Sequence, residues 1–445
     1  MATDFLKNKK FGMISLGCDK NRVDGERLLD VIRSHGAEIT DDISEANILI
    51  VNTCAFLEES RKEAIDTVLE CDRYRGGALE KLVVAGCLPE KYIGELFPSL
   101  TEGDIFLGCS DAEALWGALA SSYENGRVNY VGQGCEHLQG RVLTTPAHYA
   151  YLKIADGCNN FCTYCLIPKI RGRYRSYPME ELTEEAASLG DLSELILVAQ
   201  DVTRYGEDLY GKRRLVELIR ALSALENIGS VRLLYCYPDV IDDALIAEIR
   251  DNPKVIKYID IPLQHSEDRI LKRMNRKGTR AEYLALIKKL RDNIPGISIR
   301  STFIAGFPSE TEEESAALAA FLEEARLTNC GFFAYSREPE TPAYKLKEQI
   351  PKRIKEKRVK QLYRVQEKIS AKYLSGFVGK KIEVLCDGID YENERFEGRA
   401  YFSAPEIDGK VYFHARQACQ GEYYKVLITG HDSYDLFGAT EDYQE

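Results

Sequence analysis

Short apolar runs, each closed by a turn and followed by a stretch of helical periodicity, recur along most of this chain, and that alternation restricts its fold more than any other feature. Up to about residue 143 the runs are FGMISLGC, ANILIVNTC and KLVVAGC, with NRVDGERLLDVIRSHG and LEESRKEAIDTVLECDRYRGG between them. Strands joined by helices pair in parallel, because a helical crossover returns the chain in the direction it started. Residues 1–143 are therefore expected to form an N-terminal parallel α/β sheet domain, with ligands gathering beyond the carboxyl ends of its strands. Each run ends in a cysteine, and Cys18, Cys54 and Cys87 are 36 and 33 residues apart. That is one strand–helix unit each, so three neighbouring strands would bring three thiols to one rim. DIFLGC and GQGC also end in cysteines, Cys109 and Cys135. From spacing alone, a metal site and chance placement of buried thiols both remain open. Cys71 falls within a helical stretch and reads as structural.

The alternation continues for six more strands, HYAYLKIADG, SELILVAQD, SVRLLYCYP, VIKYIDIPLQH, GISIRSTFIAGFP and NCGFFAYS, with helical stretches between them. Six units fit an open or partial (β/α)6 barrel better than a closed eight-unit one, again with function at the strand C-termini. With the basic stretch that follows, this segment is assigned to residues 144–376. Residues 377–445 change character: KKIEVLCDG, RFEGRAYFS, GKVYFHAR and YYKVLITG are β-rich pieces separated by Gly, Asp and Pro, the pattern of a small antiparallel β-barrel.

Charge is unevenly spread. Lys and Arg number 59 against 71 Asp and Glu, a net of −12, which opposes a long phosphate backbone as main partner unless basic residues are segregated. They are segregated between Lys345 and Lys372, where 11 Lys or Arg face 3 Glu. The apolar positions Ile354, Leu362, Val365, Ile369 and Tyr373 there predict an amphipathic helix with a solvated basic face, and a nucleic-acid docking face is the alternative. Residues 377–445 net −7, with seven Lys or Arg against 14 Asp or Glu. No apolar run has the length of a signal peptide or a membrane span, so a cytoplasmic protein without a membrane partner is expected. In that reducing compartment the 13 cysteines point to metal or catalysis where they cluster.

They cluster most tightly in DGCNNFCTYCLIPKIRG, where Cys158, Cys162 and Cys165 form a CxxxCxxC spacing just after the first strand of the second segment. Soft thiolates select zinc, copper or iron–sulfur clusters. A structural zinc site closes its tetrahedron with four ligands, but the nearest histidine, His148, precedes the loop and no His or Cys follows it closely. Zinc is the weaker reading. A cubane cluster ordinarily takes four cysteines. Three leave one iron open to a small molecule.

With Tyr164 just before the third cysteine and a barrel-like repeat around it, the loop resembles that of the radical S-adenosylmethionine (SAM) superfamily. The resemblance implies that Cys158, Cys162 and Cys165 hold a 4Fe–4S cluster whose open iron chelates SAM. It further implies that SAM is cleaved there to methionine and a 5′-deoxyadenosyl radical. SLGCDKN, VNTC and VAGC, followed by the loop and by EGRAYFSAPEIDGKVYF, extend the likeness to nearly the whole chain. That layout is similar to the methylthiotransferases: a domain for a second 4Fe–4S cluster, a radical-SAM core and a TRAM domain, which is an OB-like barrel. Cys18, Cys54 and Cys87 are then the implied ligands of the second cluster, where one SAM methylates a sulfur, while a second SAM yields the radical that opens a C–H bond. Cys109 and Cys135 match no ligand of the family. SAM-contact candidates are Gln200 and Asp201 after the second core strand, Gln264 beside His265 after the fourth, and Arg300 and Gly306 on or after the fifth. Polar residues at strand ends also satisfy backbone groups, and both readings stand.

Methylthiotransferases divide into enzymes that modify a tRNA adenosine and a branch that modifies the β-carbon of an aspartate in ribosomal small-subunit protein S-twelve. DGCNNFCTYCLIPKIRGRYRS, YCYPDVIDDALI and IPLQHSEDRILKRMNR look like the second branch, and the tRNA enzymes more often have Gln-Ser-Gly-Ser where this chain has Gln264, His265 and Ser266. Charge independently favours a protein target, because an acidic last domain repels phosphates and attracts a Lys- and Arg-rich ribosomal protein. The implied partners are S-twelve, on or near the small subunit, and a reductant protein of flavodoxin or ferredoxin type. A tRNA methylthiotransferase differs only in substrate. A non-catalytic, metal-stabilised RNA-binding adaptor is the reading from another class, and the missing fourth ligands at both sites count against it.

Overall fold

A computed structural model describes residues 4–133 and 140–443, so Cys135 lies outside the described residues. The chain forms two compact units, the first comprising Met1–Thr144, Tyr151–Asn159 and Cys165–Leu189. Its sheet contains β1 (Lys10–Ser15), β2 (Glu38–Ile39), β3 (Ile48–Thr53), β4 (Lys81–Gly86), β5 (Ile105–Phe106) and β6 (Val128–Asn129). The strands run parallel in the order β2-β1-β3-β4-β5-β6. Helices cover both faces, so β3 is buried at all six positions, as expected of a central parallel strand. Side chains alternate between two cores. Ile48, Ile50 and Val83 pack with Phe11 and Trp116, while Leu49, Val51, Leu82 and Val84 pack with Val68 and Leu96. At about 1.5–3 kcal/mol per fully buried aliphatic side chain, these two layers fix the strand order. β2, β5 and β6, at two residues each, are too short to leave a periodic signal in the sequence.

The direction of winding reverses between β1 and β3, which are neighbours although β2 lies between them in the chain. In open parallel sheets a ligand crevice forms at such a reversal, outside the carboxyl ends of the two strands.

β7 (Tyr149–Lys153) is shared, its first two residues counting in the second unit and the rest in the first. β8 (Ala155–Asp156) and β9 (Arg175–Ser176) pair antiparallel within the first unit. The second unit comprises Thr145–Ala150, Asn160–Tyr164 and Gly190–Glu445. β10 (Glu194–Val198), β11 (Val231–Leu233), β12 (Val255–Asp260), β13 (Ser298–Ala305) and β14 (Asn329–Ala334) continue from β7 in sequential order. This is the expected open six-stranded arrangement, with parallel pairings throughout β10–β14. Each helix expected between these strands forms, from Met179–Ser188 to Glu312–Ala325.

The basic stretch forms the helix Lys352–Ser375, beginning one residue after Pro351, whose fixed φ suits a helix entrance but lacks an N–H to continue one backwards. Its inward face is not the one the sequence predicts. The buried stripe is Arg358, Leu362, Gln366, Ser370 and Leu374, whereas Ile354, Val365, Ile369 and Tyr373 are only half-buried. The reason is that the helix packs against β14 and meets the backbone carbonyls of residues just before and just after that strand, which demand polar partners. Gln366 Nε2 donates to the carbonyls of Leu327 and Thr328 at 3.0 and 3.3 Å, and Ser370 Oγ donates to Thr328 O at 3.1 Å. Lys355 Nζ donates to Tyr335 O at 2.6 Å.

The C-terminal strands β15 (Lys381–Asp390), β16 (Arg395–Arg399), β17 (Val411–His414), β18 (Tyr423–His431) and β19 (Leu436–Thr440) close into a barrel in the order β15-β16-β17-β19-β18. All pairings are antiparallel except β17 with β19. Buried ion pairs fasten this barrel to the six-stranded sheet. Arg399 Nη1 donates to Glu194 at 2.7 Å, and Arg232 pairs with the other oxygen of the same carboxylate. Burial pushes the Glu194 carboxyl up, but Arg232 and Arg399 overcome that and hold it down at about 2. Among the described residues, no helix is long and apolar enough to cross a membrane.

Candidate functional site

The first unit brings the three strand-end cysteines to one edge of its sheet. Cys18 follows β1 and caps the helix Asp19–Ser34 with extended backbone, Cys54 follows β3, and Cys87 opens the helix Cys87–Ser99 directly after β4. β1, β3 and β4 are adjacent, so the three thiols stand at neighbouring strand ends, about 4.8 Å of sheet apart per step. Cys18 and Cys87 lie at helix N-termini, where the backbone favours a thiolate, although burial pushes the Cys18 thiol up.

Close packing of the strand ends depends on two glycines. Gly17 has φ +98°, and a Cβ there would stand 2.8 Å from the Cβ of Cys54; Gly86 has φ +94°, and a Cβ would stand 2.7 Å from both Asn52 Oδ1 and Thr53 O. Polar side chains then lace the ends together. Asn52 Nδ2 donates to Asn21 O at 2.7 Å, Asn21 Nδ2 to Leu16 O at 2.6 Å, and Thr53 Oγ1 to Ala85 O at 2.6 Å. The remaining oxygens Asn21 Oδ1 and Asn52 Oδ1 are buried with no hydrogen-bond partner among the described residues, polar capacity that a bound group would use.

Cys87 has a specialised environment. Arg171 Nη2 donates to its Sγ at 3.3 Å, and the Cys109 thiol donates to it at 3.6 Å. The Cys109 hydrogen bond, with Arg171, outweighs burial and lowers the Cys87 thiol to about 7. At Cys54 burial outweighs the hydrogen bonds of the Phe56 backbone and Ser60 and raises the thiol to about 11. Arg171 also donates through Nη1 to Asp24 Oδ2 at 2.8 Å and to Asp156 Oδ2 at 3.0 Å. Lys153 completes a four-residue buried network by pairing with both carboxylates. Burial opposes ionisation of Asp156, yet Arg171 and Lys153 hold its carboxyl well below the ordinary range.

Asp156 lies two residues before Cys158, and Arg171 six after Cys165. The network that reaches Cys87 therefore also secures both stems of the CxxxCxxC loop. Further clamps join those stems: Cys158 N donates to Gly172 O at 3.2 Å and Tyr174 N to Asn159 Oδ1 at 3.2 Å. Gly157 has φ +75°, and a Cβ there would fall 2.1 Å from Arg173 O, so no other residue fits between the stems.

The middle of the loop, Asn160–Tyr164, belongs to the second unit. Thr163 N donates to Met274 O at 3.0 Å and Asn275 Nδ2 to Phe161 O at 3.1 Å. Tyr237 Oη lies 3.3 Å from Cys162 Sγ, and Arg276 Nη1 donates to the same sulfur at 3.9 Å while its guanidinium stacks 3.9 Å over the Tyr237 ring. Among the described residues no three Cys, His, Asp or Glu side chains are grouped as they would be around a bound metal ion.

The SAM-contact candidates divide by what already occupies them. Asp201 is fully buried; it caps the turn Val202–Arg204 and accepts from Asn160 Nδ2 at 3.0 Å, anchoring the cysteine loop. Arg300 sits third in β13, with donations to Asp260 at 3.0 Å and Asp408 at 3.2 Å. Gly306 N donates to Glu310 Oε2 at 2.7 Å, and a Cβ at Gly306 would meet Lys355 Cγ at 2.2 Å, so its glycine answers to helix packing. Gln264, at φ +73°, bridges β13 through its backbone, and Gln200 is half-buried two residues beyond β10. Sequence reading missed Arg171, Asp24, Lys153, Arg276 and Tyr237. The one available signal was in VNTC, where Asn52 interrupts an otherwise apolar central strand.

Models of three families match the chain: the radical SAM superfamily over residues 152–322, an uncharacterised protein family, UPF0004, over 10–108, and the TRAM domain over 378–440. The chain is 44% identical over 444 residues to a protein of Lachnoclostridium phytofermentans described as ribosomal protein uS12 methylthiotransferase RimO, covering 97% of this chain and all of that one. A protein of Clostridium botulinum with the same description is 45% identical, covering 97% and 98% of the two chains. Among solved structures, the radical SAM methyltransferase TsrM from Kitasatospora setae, with cobalamin and a 4Fe–4S cluster bound, matches with a TM-score of 0.55 at 14% identity, covering 76% of this chain and 77% of that one. The last likeness is one of fold.

Proposed function

The chain belongs to the RimO family of radical SAM methylthiotransferases, and from that membership we propose that it adds a methylthio group to the β-carbon of an aspartate in ribosomal protein uS12, the S-twelve of the small subunit. The family's chemistry rests on SAM and 4Fe–4S clusters, which together supply the radical that opens an unactivated C–H bond. The single observation that carries the proposal is the pair of three-cysteine sets, Cys158, Cys162 and Cys165 within one loop and Cys18, Cys54 and Cys87 at three neighbouring strand ends. Cys158, Cys162 and Cys165 are assigned to the cluster that binds SAM, and Cys18, Cys54 and Cys87 to the second. The residues present suit such groups: soft thiols at strand and helix ends, and orphaned carboxamide oxygens beside the second set.

This chain's own residues do three kinds of work. Arg171 and the Cys109 thiol donate to Cys87 and hold its sulfur in the charged form that a metal needs. Lys153, Asp156 and Asp24 keep Arg171 in place, so the stems of the SAM-cluster loop and the Cys87 sulfur share one scaffold. Arg276 and Tyr237 position Cys162. The functional segments are taken as 1–143 for the second cluster, 144–376 for the radical SAM core and 377–445 for the TRAM domain, whose net −7 suits a basic ribosomal protein. That substrate sets the reaction in the cytoplasm, with a flavodoxin- or ferredoxin-type protein as electron donor.

Mass spectrometry of uS12 and of tRNA from cells lacking the gene tests the substrate. uS12 without its methylthio group and unchanged tRNA are expected. Loss of methylthio-adenosine with uS12 intact would overturn the choice.

A further inference from the structure

The helix Lys352–Ser375 carries a charge pattern that the proposed reaction does not use. Its inner side is committed to the residues flanking β14 through Gln366, Ser370 and Lys355, which donate to the carbonyls of Leu327, Thr328 and Tyr335. On its outer side Arg353, Lys357, Lys360, Arg364, Lys368 and Lys372 are all exposed. Spaced three or four residues apart, they fall on one side of the helix, over about 28 Å of its length. Among the described residues none of the six has a carboxylate within ion-pair distance, while elsewhere even exposed cations such as Lys288 and Arg250 find one. In a chain of net −12, six unpaired like charges on one rigidly seated helix face repel one another, a cost that an anionic partner offsets.

We infer that this face docks on the phosphate backbone of RNA, next to the protein substrate. The inference rests on the function proposed above, because a ribosomal protein is met within an RNA-rich particle. It gives separate partners to two neighbouring regions of opposite sign: the acidic barrel takes basic protein, and the helix takes phosphate. Charge complementarity selects RNA, since a row of evenly spaced cationic side chains matches a repeating phosphate backbone. A second copy of this chain, offering its acidic barrel, is the competing occupant.

The test uses the reconstituted full-length enzyme and a variant carrying Lys357→Glu, Lys360→Glu, Arg364→Glu and Lys368→Glu, all exposed positions with a good helix former substituted. Affinity for a labelled 20-base-pair RNA duplex is measured against salt. Wild type is expected to bind with log K falling linearly against log salt, and the variant to bind at least tenfold more weakly with a slope shallower by about four, one per lost phosphate contact. Methylthiolation of free uS12 should be equal in both proteins, while methylthiolation of uS12 within small subunits should fall at least tenfold in the variant. Equal RNA affinity and slope in the two proteins would overturn the inference. So would a wild-type dimer in sedimentation that the variant dissolves. If wild type modifies uS12 in neither form, the proposed function fails, and the RNA-binding result still decides the docking face separately.

Discussion

The two cysteine sets assigned to the proposed clusters are built by opposite routes. Cys158, Cys162 and Cys165 lie within eight consecutive residues, on a loop clamped at its stems by Gly172 and Asn159. Cys18, Cys54 and Cys87 span 70 residues and stand at neighbouring strand ends only because β1, β3 and β4 are adjacent across a reversal of winding. A local site needs a turn; a non-local one needs a whole sheet. Each is therefore vulnerable in its own way: the loop to changes in its own residues, the sheet site to anything that moves a strand end.

Single-thiol variants break the comparison with the largest effects. Cys162→Ala is expected to abolish SAM cleavage, read as 5′-deoxyadenosine released on anaerobic reduction. Cys54→Ala should abolish methylthiolated uS12 and leave uncoupled cleavage. Equal loss of cleavage in both would merge the two sites into one.

Arg171 sharpens the comparison, because it serves both sets. Arg171→Met removes the cation between Asp24 and Asp156 and leaves buried carboxylates under-compensated, an expected loss of about 3–5 kcal/mol in the first unit's unfolding transition. Arg171→Lys keeps a charge near the carboxylates but gives up the planar two-sided donation, so it should recover most of that stability while Cys87 in the cluster-free protein becomes slower to alkylate at neutral pH. Fast alkylation in Arg171→Lys would show that Arg171 does not act on the sulfur.

A smaller effect separates the units by pH. Glu194 is held down at about 2 in the folded second unit, below its unfolded value of about 4.5. Its contribution is complete above the unfolded value and is lost as pH falls through about 2. Acid destabilisation of the second unit should therefore be shallower in Glu194→Gln between those limits, and an unchanged slope would discount the ion pair.

How much was legible follows from the same contrast. The strands FGMISLGC, ANILIVNTC and KLVVAGC announced themselves because their apolar residues fill two cores on alternating faces. The CxxxCxxC loop was legible because its geometry is local. The neighbours of Cys87 were not: Arg171 and Cys109 lie 84 and 22 residues from it, and no periodicity links them. Cys109 was visible as a strand-end cysteine but matched no ligand position, and the structure gives it a place beside the site. The inward face of Lys352–Ser375 was misread for a physical reason. Amphipathic reasoning assumes an apolar partner, whereas Leu327 and Thr328, just before β14, offer carbonyls, and Gln366 and Ser370 answer them.

The central claim, two separate three-thiol clusters in one chain, is tested most directly by iron content after anaerobic reconstitution of wild type and of a variant with Cys18, Cys54 and Cys87 all changed to Ala. Roughly eight irons per chain are expected to fall to roughly four, with SAM cleavage kept and methylthiolated uS12 lost. Iron unchanged in the variant, or cleavage lost along with it, would contradict the account.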